Sequence, residues 1–135
     1  LLFTMPGIPC LYYGSEWGME GEKSHRDDAL RPAVEEPVWN GLCDTIASLC
    51  AIHKQEKALC YGDYTQVALT NRQYVFARAF EGERVVVALN ADNAPATLSA
   101  PSLQGTGTDL ITGETKTFSG QVELPPLSAF LWRMG

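Results

Sequence analysis

Basic residues are scarce in this chain. Ten lysines and arginines stand against sixteen aspartates and glutamates, a formal charge of −6. Gripping a phosphate backbone takes a basic face, so this balance argues against a nucleic-acid partner. No apolar run approaches the roughly 20 residues that cross a bilayer, and no membrane partner is expected. Cysteines are few, and no two form a C-x-x-C pair: Cys10, Cys43, Cys50 and Cys60. Cys43 and Cys50 fall on one helix face, too far apart along its axis to bridge each other. Free thiols in a reducing compartment follow, and with them a cytoplasmic location. The two histidines, His25 and His53, are distant in sequence, and His25 stands beside Arg26. No metal ligand set and no cofactor are expected from them. The opening Leu1-Leu2-Phe3-Thr4-Met5 has no basic n-region and does not read as a signal peptide; a boundary inside an element is expected there.

The 135 residues present are 45% hydrophobic, enough to bury the core of one ordinary domain. Pro6 to Glu16 reads Pro-Gly-Ile-Pro-Cys-Leu-Tyr-Tyr-Gly-Ser-Glu. Its apolar run, Ile8 to Tyr13, has strand length, and Gly14 closes it just before the carboxylate of Glu16. A buried strand delivering polar groups to a rim is expected. Residues 18–37 are rich in glycine and charge and read as a long loop, a length associated with a working site. Leu42, Ile46 and Leu49 recur near helical spacing, which predicts a helix from about Val38 to Lys54 with Pro37 at its entrance.

From Gly62 the period changes to two. Tyr64–Leu69, Tyr74–Phe80 and Arg84–Asn90, separated by turns at Asn71-Arg72-Gln73 and Glu81-Gly82-Glu83, predict an antiparallel meander. Ala96–Ser99, Thr108–Ile111, Lys116–Phe118, Gln121–Leu124 and Ala129–Arg133 are further short strands, with turns at Thr112-Gly113 and Ser119-Gly120. The fold class is mainly β. Seven or eight short strands predict an antiparallel β-sandwich, preceded by a strand, a loop and a helix. Inward positions are expected at Val75 or Phe76, Val85 or Val87, Leu110, and Phe130 or Leu131.

The Pro6–Glu16 stretch resembles the G-x-P-x-x-Y-Y-G-x-E pattern that ends the (β/α)8 barrel of α-amylase-family glycoside hydrolases. Ala58 to Tyr64 resembles that family's passage from the last barrel helix into its C-terminal sandwich. Leu124-Pro125-Pro126-Leu127-Ser128-Ala129-Phe130 resembles its closing strand. The resemblance implies that residues 1–61 are the last strand, loop and helix of a barrel, and residues 62–135 the C-terminal β-sandwich, domain C. A whole barrel typically takes about 250 residues, so most of it would lie upstream as a partner domain.

Retaining glycoside hydrolysis needs two carboxyl groups about 5 Å apart. The resemblance places the family's catalytic carboxylates on earlier barrel strands, so no catalytic residue is assigned here, including Glu16, Asp27 and Asp28. Asp27-Asp28-Ala29-Leu30-Arg31-Pro32 resembles the Asp…Arg-Pro loop that borders the sugar subsites in the cyclomaltodextrinase and neopullulanase branch. It implies Asp28 and Arg31 as sugar contacts, since a carboxylate accepts from and a guanidinium donates to vicinal hydroxyls. Ala29-Leu30 departs from that branch's polar pattern, and a surface ion pair is the other role for these two charges. Tyr13 and Trp17 are candidates to stack on a sugar, against a packing role. Trp39 and Trp132 read as packing anchors.

The function implied is that of a non-catalytic C-terminal part of a glycosidase acting on α-glucans or maltooligosaccharides. A carbohydrate-binding module would need a planar row of exposed aromatics. An oligomerisation or interaction domain would use the exposed apolar Leu1-Leu2-Phe3 and the Ile8–Tyr13 run for self-association.

Overall fold

The computed structural model describes residues 1–22, 30, 32–34 and 36–135. Two helices, α1 (Gly41–Gln55) and α2 (Lys57–Tyr61), precede six strands: β1 (Asp63–Leu69), β2 (Gln73–Phe80), β3 (Glu83–Asn90), β4 (Ala96–Asp109), β5 (Thr115–Leu124) and β6 (Ser128–Met134). All neighbours pair antiparallel in one sheet, ordered β1-β2-β3-β6-β4-β5. The mainly β, antiparallel fold read from the sequence is the fold observed, and its layers belong to one curled sheet.

Both faces of the central strands are buried, and period-two alternation sends each residue to one face or the other. Val75, Ala77, Val86, Ala88 and Trp132 share a core with Leu103 of β4 and with Phe118 and Val122 of β5. β2 and β5 stand far apart in the strand order, so a shared core requires the sheet to bend over on itself. The bend has visible causes. β4 pairs with β6 only at Gly107, Thr108 and Asp109, and its register with β5 shifts between Ser99 and Gln104. Within that shift Ala100 and Leu103 turn fully inward. Gly107 is needed at the junction: a Cβ there would lie 3.0 Å from Trp132 Cβ.

The opposite face carries Phe76, Val85, Val87 and Leu131, and the helices cover it through Ile52, Ala58 and Leu59. The inward positions expected on β2, β3 and β6 are thus met from both sides. Val75 and Phe76 are each fully buried, on opposite faces; Leu110 and Phe130 are half-buried.

Several expected elements differ. Ala96–Ser99 and Thr108–Ile111 are not two strands, because β4 runs unbroken from Ala96 to Asp109. Likewise Ser119-Gly120 is no turn. Ser119 pairs with Gln104 and Gln121 with Ser99, so the site is a bend inside one long hairpin. Six strands therefore replace the seven or eight expected. The helix starts at Gly41 rather than Val38, because Asn40 is its cap. The predicted strand Ile8–Tyr13 is not a strand. No described strand lies beside it to exchange backbone hydrogen bonds, and Ile8 is 95% exposed. Turns do occur where expected after β2 and around Thr112-Gly113. The β2–β3 connection is tight, with Phe80 opposite Glu83 and positive φ at both Glu81 and Gly82.

Buried polar groups tie the layers together. Arg78 donates to the carbonyls of Thr4 (2.8 Å) and Gly62 (2.9 Å), fixing the start of the chain to the sheet. Burial pushes its guanidinium below its ordinary value, and Cys60 opposes that shift. His53 Nδ1 lies 2.8 Å from the carbonyl of Phe3. Asp109 accepts from Leu131 N (3.2 Å) and from the Thr112 hydroxyl (2.8 Å), closing the β4–β5 turn onto β6. Glu56, at the break between α1 and α2, holds Arg133 of β6 through both carboxylate oxygens. That bond raises the Arg133 guanidinium above its ordinary value.

Two outcomes follow from this packing. Val87→Asp puts a charge between sheet and helices and is expected to destabilise the chain by more than about 3 kcal/mol in urea unfolding. An unchanged midpoint would mean that Val87 does not face the helices. The Tyr64 and Tyr74 hydroxyls bond each other across β1 and β2. That bond, then burial, pushes Tyr74 up from 10.0 to about 12. A folded value above the unfolded one means that the stabilisation is complete below pH 10 and fades as pH rises from 10 to 12. Tyr74→Phe is expected to remove that part of the decline, followed by tyrosinate absorbance and by melting temperature across the same range.

Candidate functional site

The end of the Pro6–Glu16 motif is a rigid turn rather than a strand exit. Gly14 and Gly18 both adopt left-handed backbone, at φ 86° and 75°, and bracket a 3-10 turn over Ser15–Trp17. The left-handed φ favours glycine at position 14, and a Cβ there would also displace the flexible end of Met19, whose Cε would stand 2.4 Å away. The Gly14 carbonyl accepts from Met19 N at 2.8 Å, which folds the chain back over the turn.

Helix α1 grips this turn from below. Asn40 is extended, and its Oδ1 accepts from Leu42 N (3.0 Å) and Cys43 N (3.2 Å), satisfying two otherwise unpaired donors of the first helical turn. Its Nδ2 donates to the carbonyl of Trp17 at 2.9 Å. One side chain therefore caps the helix and fixes the motif's turn. The buried Cys43 thiol adds a second tie, donating to the carbonyl of Glu16 at 3.1 Å.

Two small pockets flank the turn. A cavity of 390 Å³ is lined by Glu16, Trp17, Val38, Trp39 and the Cys43–Ala47 face of α1. Trp39 is 72% exposed, and its indole N–H donates to Asp44 Oδ1 at 2.8 Å, so its ring is held in one orientation. Asp44 lies in the first turn of α1, where the helix dipole favours a negative charge. Glu16 Oε2 is shielded from solvent and has no hydrogen-bond partner among the described residues. On the other side, a 180 Å³ pocket is lined by Tyr12, Tyr13, Ser15 and Met19. The Tyr12 and Tyr13 rings are tilted against each other with centroids 4.7 Å apart, and the Tyr13 hydroxyl donates to the carbonyl of Pro32.

Of the site residues read from the sequence, Tyr13 and Trp17 thus line different pockets on either side of one turn. Asp28 and Arg31 lie outside the described residues, as do His25, Arg26 and Asp27. Trp132 is the packing anchor expected, stacked on Phe130 in the core. Trp39 is not: it faces solvent at the pocket mouth, because Asn40 begins the helix after it and leaves the indole outside the helix face. Asn40 itself was legible as an Asn directly before a helical run. The four cysteines are free. Among the described residues no group of three or more His, Cys, Asp or Glu could hold a metal ion. No described helix is long and apolar enough to cross a membrane.

Comparison with known proteins matches this architecture. Residues 64–132 match the cyclo-malto-dextrinase C-terminal domain, and the chain belongs to that family. It is 34% identical to the α-amylase MalA of Haloarcula japonica, over 88% of this chain and 18% of that protein. A cyclomaltodextrinase of Thermoanaerobacter pseudethanolicus is 28% identical over 96% of this chain and 22% of its own length. The crystal structure of an Anoxybacillus α-amylase superposes with a TM-score of 0.83 and 25% identity, covering 99% of this chain and 30% of that one. The chain spans less than a third of each of these relatives.

Asn40→Ala is expected to destabilise the chain by about 1–2 kcal/mol, the usual loss of a cap. It should also release the Ser15–Trp17 turn, seen as a change in Trp17 fluorescence. Intact stability with unaltered fluorescence would show that the cap does not hold the turn.

Proposed function

We propose that this chain is the non-catalytic C-terminal part of an α-amylase-type glycosidase that acts on α-glucans or maltooligosaccharides in the cytoplasm. The observation carrying this reading is the order of parts: the Pro6–Glu16 motif and a helix stand directly before a β domain that matches the cyclo-malto-dextrinase C-terminal family. That the relatives are an α-amylase and a cyclomaltodextrinase supports the substrate class. In this reading residues 1–61 close an upstream (β/α)8 barrel and residues 62–135 are its C-terminal β domain. The apolar groove beside Leu1, walled by Leu49, Val87 and Leu131, supports a packing surface for that barrel. Tyr13, Asp28 and Arg31 border the sugar path of the complete enzyme in this reading, because barrel sites form at the C-terminal ends of the strands, whereas Trp17 faces the other pocket. The upstream barrel supplies the catalytic carboxylates, and the β domain supports the last barrel unit.

The test is an assay of this chain with maltooligosaccharides and cyclodextrins, alone and grafted in place of the matching C-terminal part of a cyclomaltodextrinase. No turnover is expected from the chain alone, and a folded, active enzyme from the graft. Turnover by the chain alone that disappears in Glu16→Gln would overturn the reading.

A second role is favoured by the exposure of Ile8, Leu11 and Tyr12. Exposed apolar side chains favour packing against another chain, so self-association through the Ile8–Tyr13 segment is proposed for the chain alone. Leu11→Lys is expected to shift it towards monomer in light scattering while leaving its melting temperature unchanged. A parent chain that stays monomeric at high concentration would contradict this role.

A further inference from the structure

Glu16 presents an unusual combination. Its Oε2 is shielded from water and makes no hydrogen bond with any described residue. Desolvating a carboxylate oxygen without a donor is costly, and native structures seldom leave one so. The backbone around it is not free to move away. Cys43 holds the Glu16 carbonyl, and Asn40 holds the next one. One carboxylate oxygen, Oε2, is therefore shielded at the wall of the 390 Å³ pocket, while Glu16 as a whole is half-buried.

The rest of that pocket says what kind of donor fits. Its walls are two indoles, Trp17 and Trp39, with aliphatic Val38 and Ile46. Trp39 has its N–H committed to Asp44, so it offers the pocket a fixed ring face and not a donor. A strongly hydrated ammonium suits such walls poorly. A guanidinium is planar, weakly hydrated, stacks on indole, and meets a carboxylate with paired N–H groups. The chain's own charge of −6 complements a cationic partner.

We infer that the Glu16–Trp17–Trp39 pocket receives an arginine side chain from the polypeptide that precedes this segment in the complete enzyme. This rests on the proposed function, in which the relatives' greater length reflects an upstream barrel. It goes beyond that reading by assigning Glu16 as the anchor of the contact. Glu16 is then a positioning residue: it pins the Ser15–Trp17 turn to an earlier part of the polypeptide, and it touches no sugar.

The experiment measures Glu16→Gln in two settings, the 135-residue chain and the enzyme with its upstream polypeptide. In the chain alone the melting temperature should stay level or rise, because a shielded oxygen without a donor is removed. In the complete enzyme it should fall by about 2–4 °C or more, because a buried guanidinium loses its carboxylate. Failure of only the longer variant to fold counts the same way. Equal shifts in the two settings would overturn the assignment. So would a saturable change in tryptophan fluorescence when maltose is added to the chain alone, if Glu16→Gln abolishes it, since the pocket would then be a sugar site. Turnover of α-glucans by the unmutated complete enzyme is read separately, so the functional reading and the arginine contact fail independently.

Discussion

Burial of both faces of β2, β3 and β6 is the constraint on which the structure depends. Strands whose central residues are apolar in succession, as in Tyr74–Ala77, Val85–Leu89 and Ala129–Trp132, cannot leave either face in water. Each large side chain buried contributes about 1.5–3 kcal/mol, so two covering layers are needed. One layer is the β4–β5 hairpin, bent over by its irregular pairing and by the close contact that Gly107 permits. The other is the helical pair, which places Ile52, Ala58 and Leu59 against Phe76, Val85 and Val87. Helices and sheet therefore share a core, and neither covers itself.

The candidate site inherits its position from that core. The second half of α1 is fixed on the sheet, with the Glu56–Arg133 pair and the Arg78 and His53 contacts to the first residues reinforcing the joint. Its N-terminal end carries Asn40 and Cys43, which hold the motif's turn by its carbonyls. Glu16, Trp17 and Trp39 are thus oriented through a continuous path of packed and hydrogen-bonded groups that starts in the β domain.

Much of this was legible in the sequence because the signals were local. Alternation over Tyr74–Phe80 and Arg84–Asn90 located β2 and β3, and Glu-Gly between them marked a tight turn. The helix around Leu42–Leu49 followed from its spacing, and the Pro6–Glu16 pattern pointed to the family. What was hidden depended on distant partners. Ser119-Gly120 has the composition of a turn, and only the opposing bulge in β4 makes it a bend within a strand. Ile8–Tyr13 has the composition of a buried strand, yet a strand needs neighbours, and the described chain offers none beside it. Trp39 looked like a core residue by type; the cap at Asn40, one position later, turned it outward.

Native-state hydrogen exchange tests the shared core most directly. The account predicts that amides of Ile52 and Leu59 open with the same free energy, and the same denaturant dependence, as those of Phe76 and Val87. Early exchange confined to the first turn of α1 fits this picture, since first-turn N–H groups have no intrahelical carbonyl partner. Complete exchange of both helices while β2 and β3 stay protected would contradict it, and would show that the sheet does not need its helical layer.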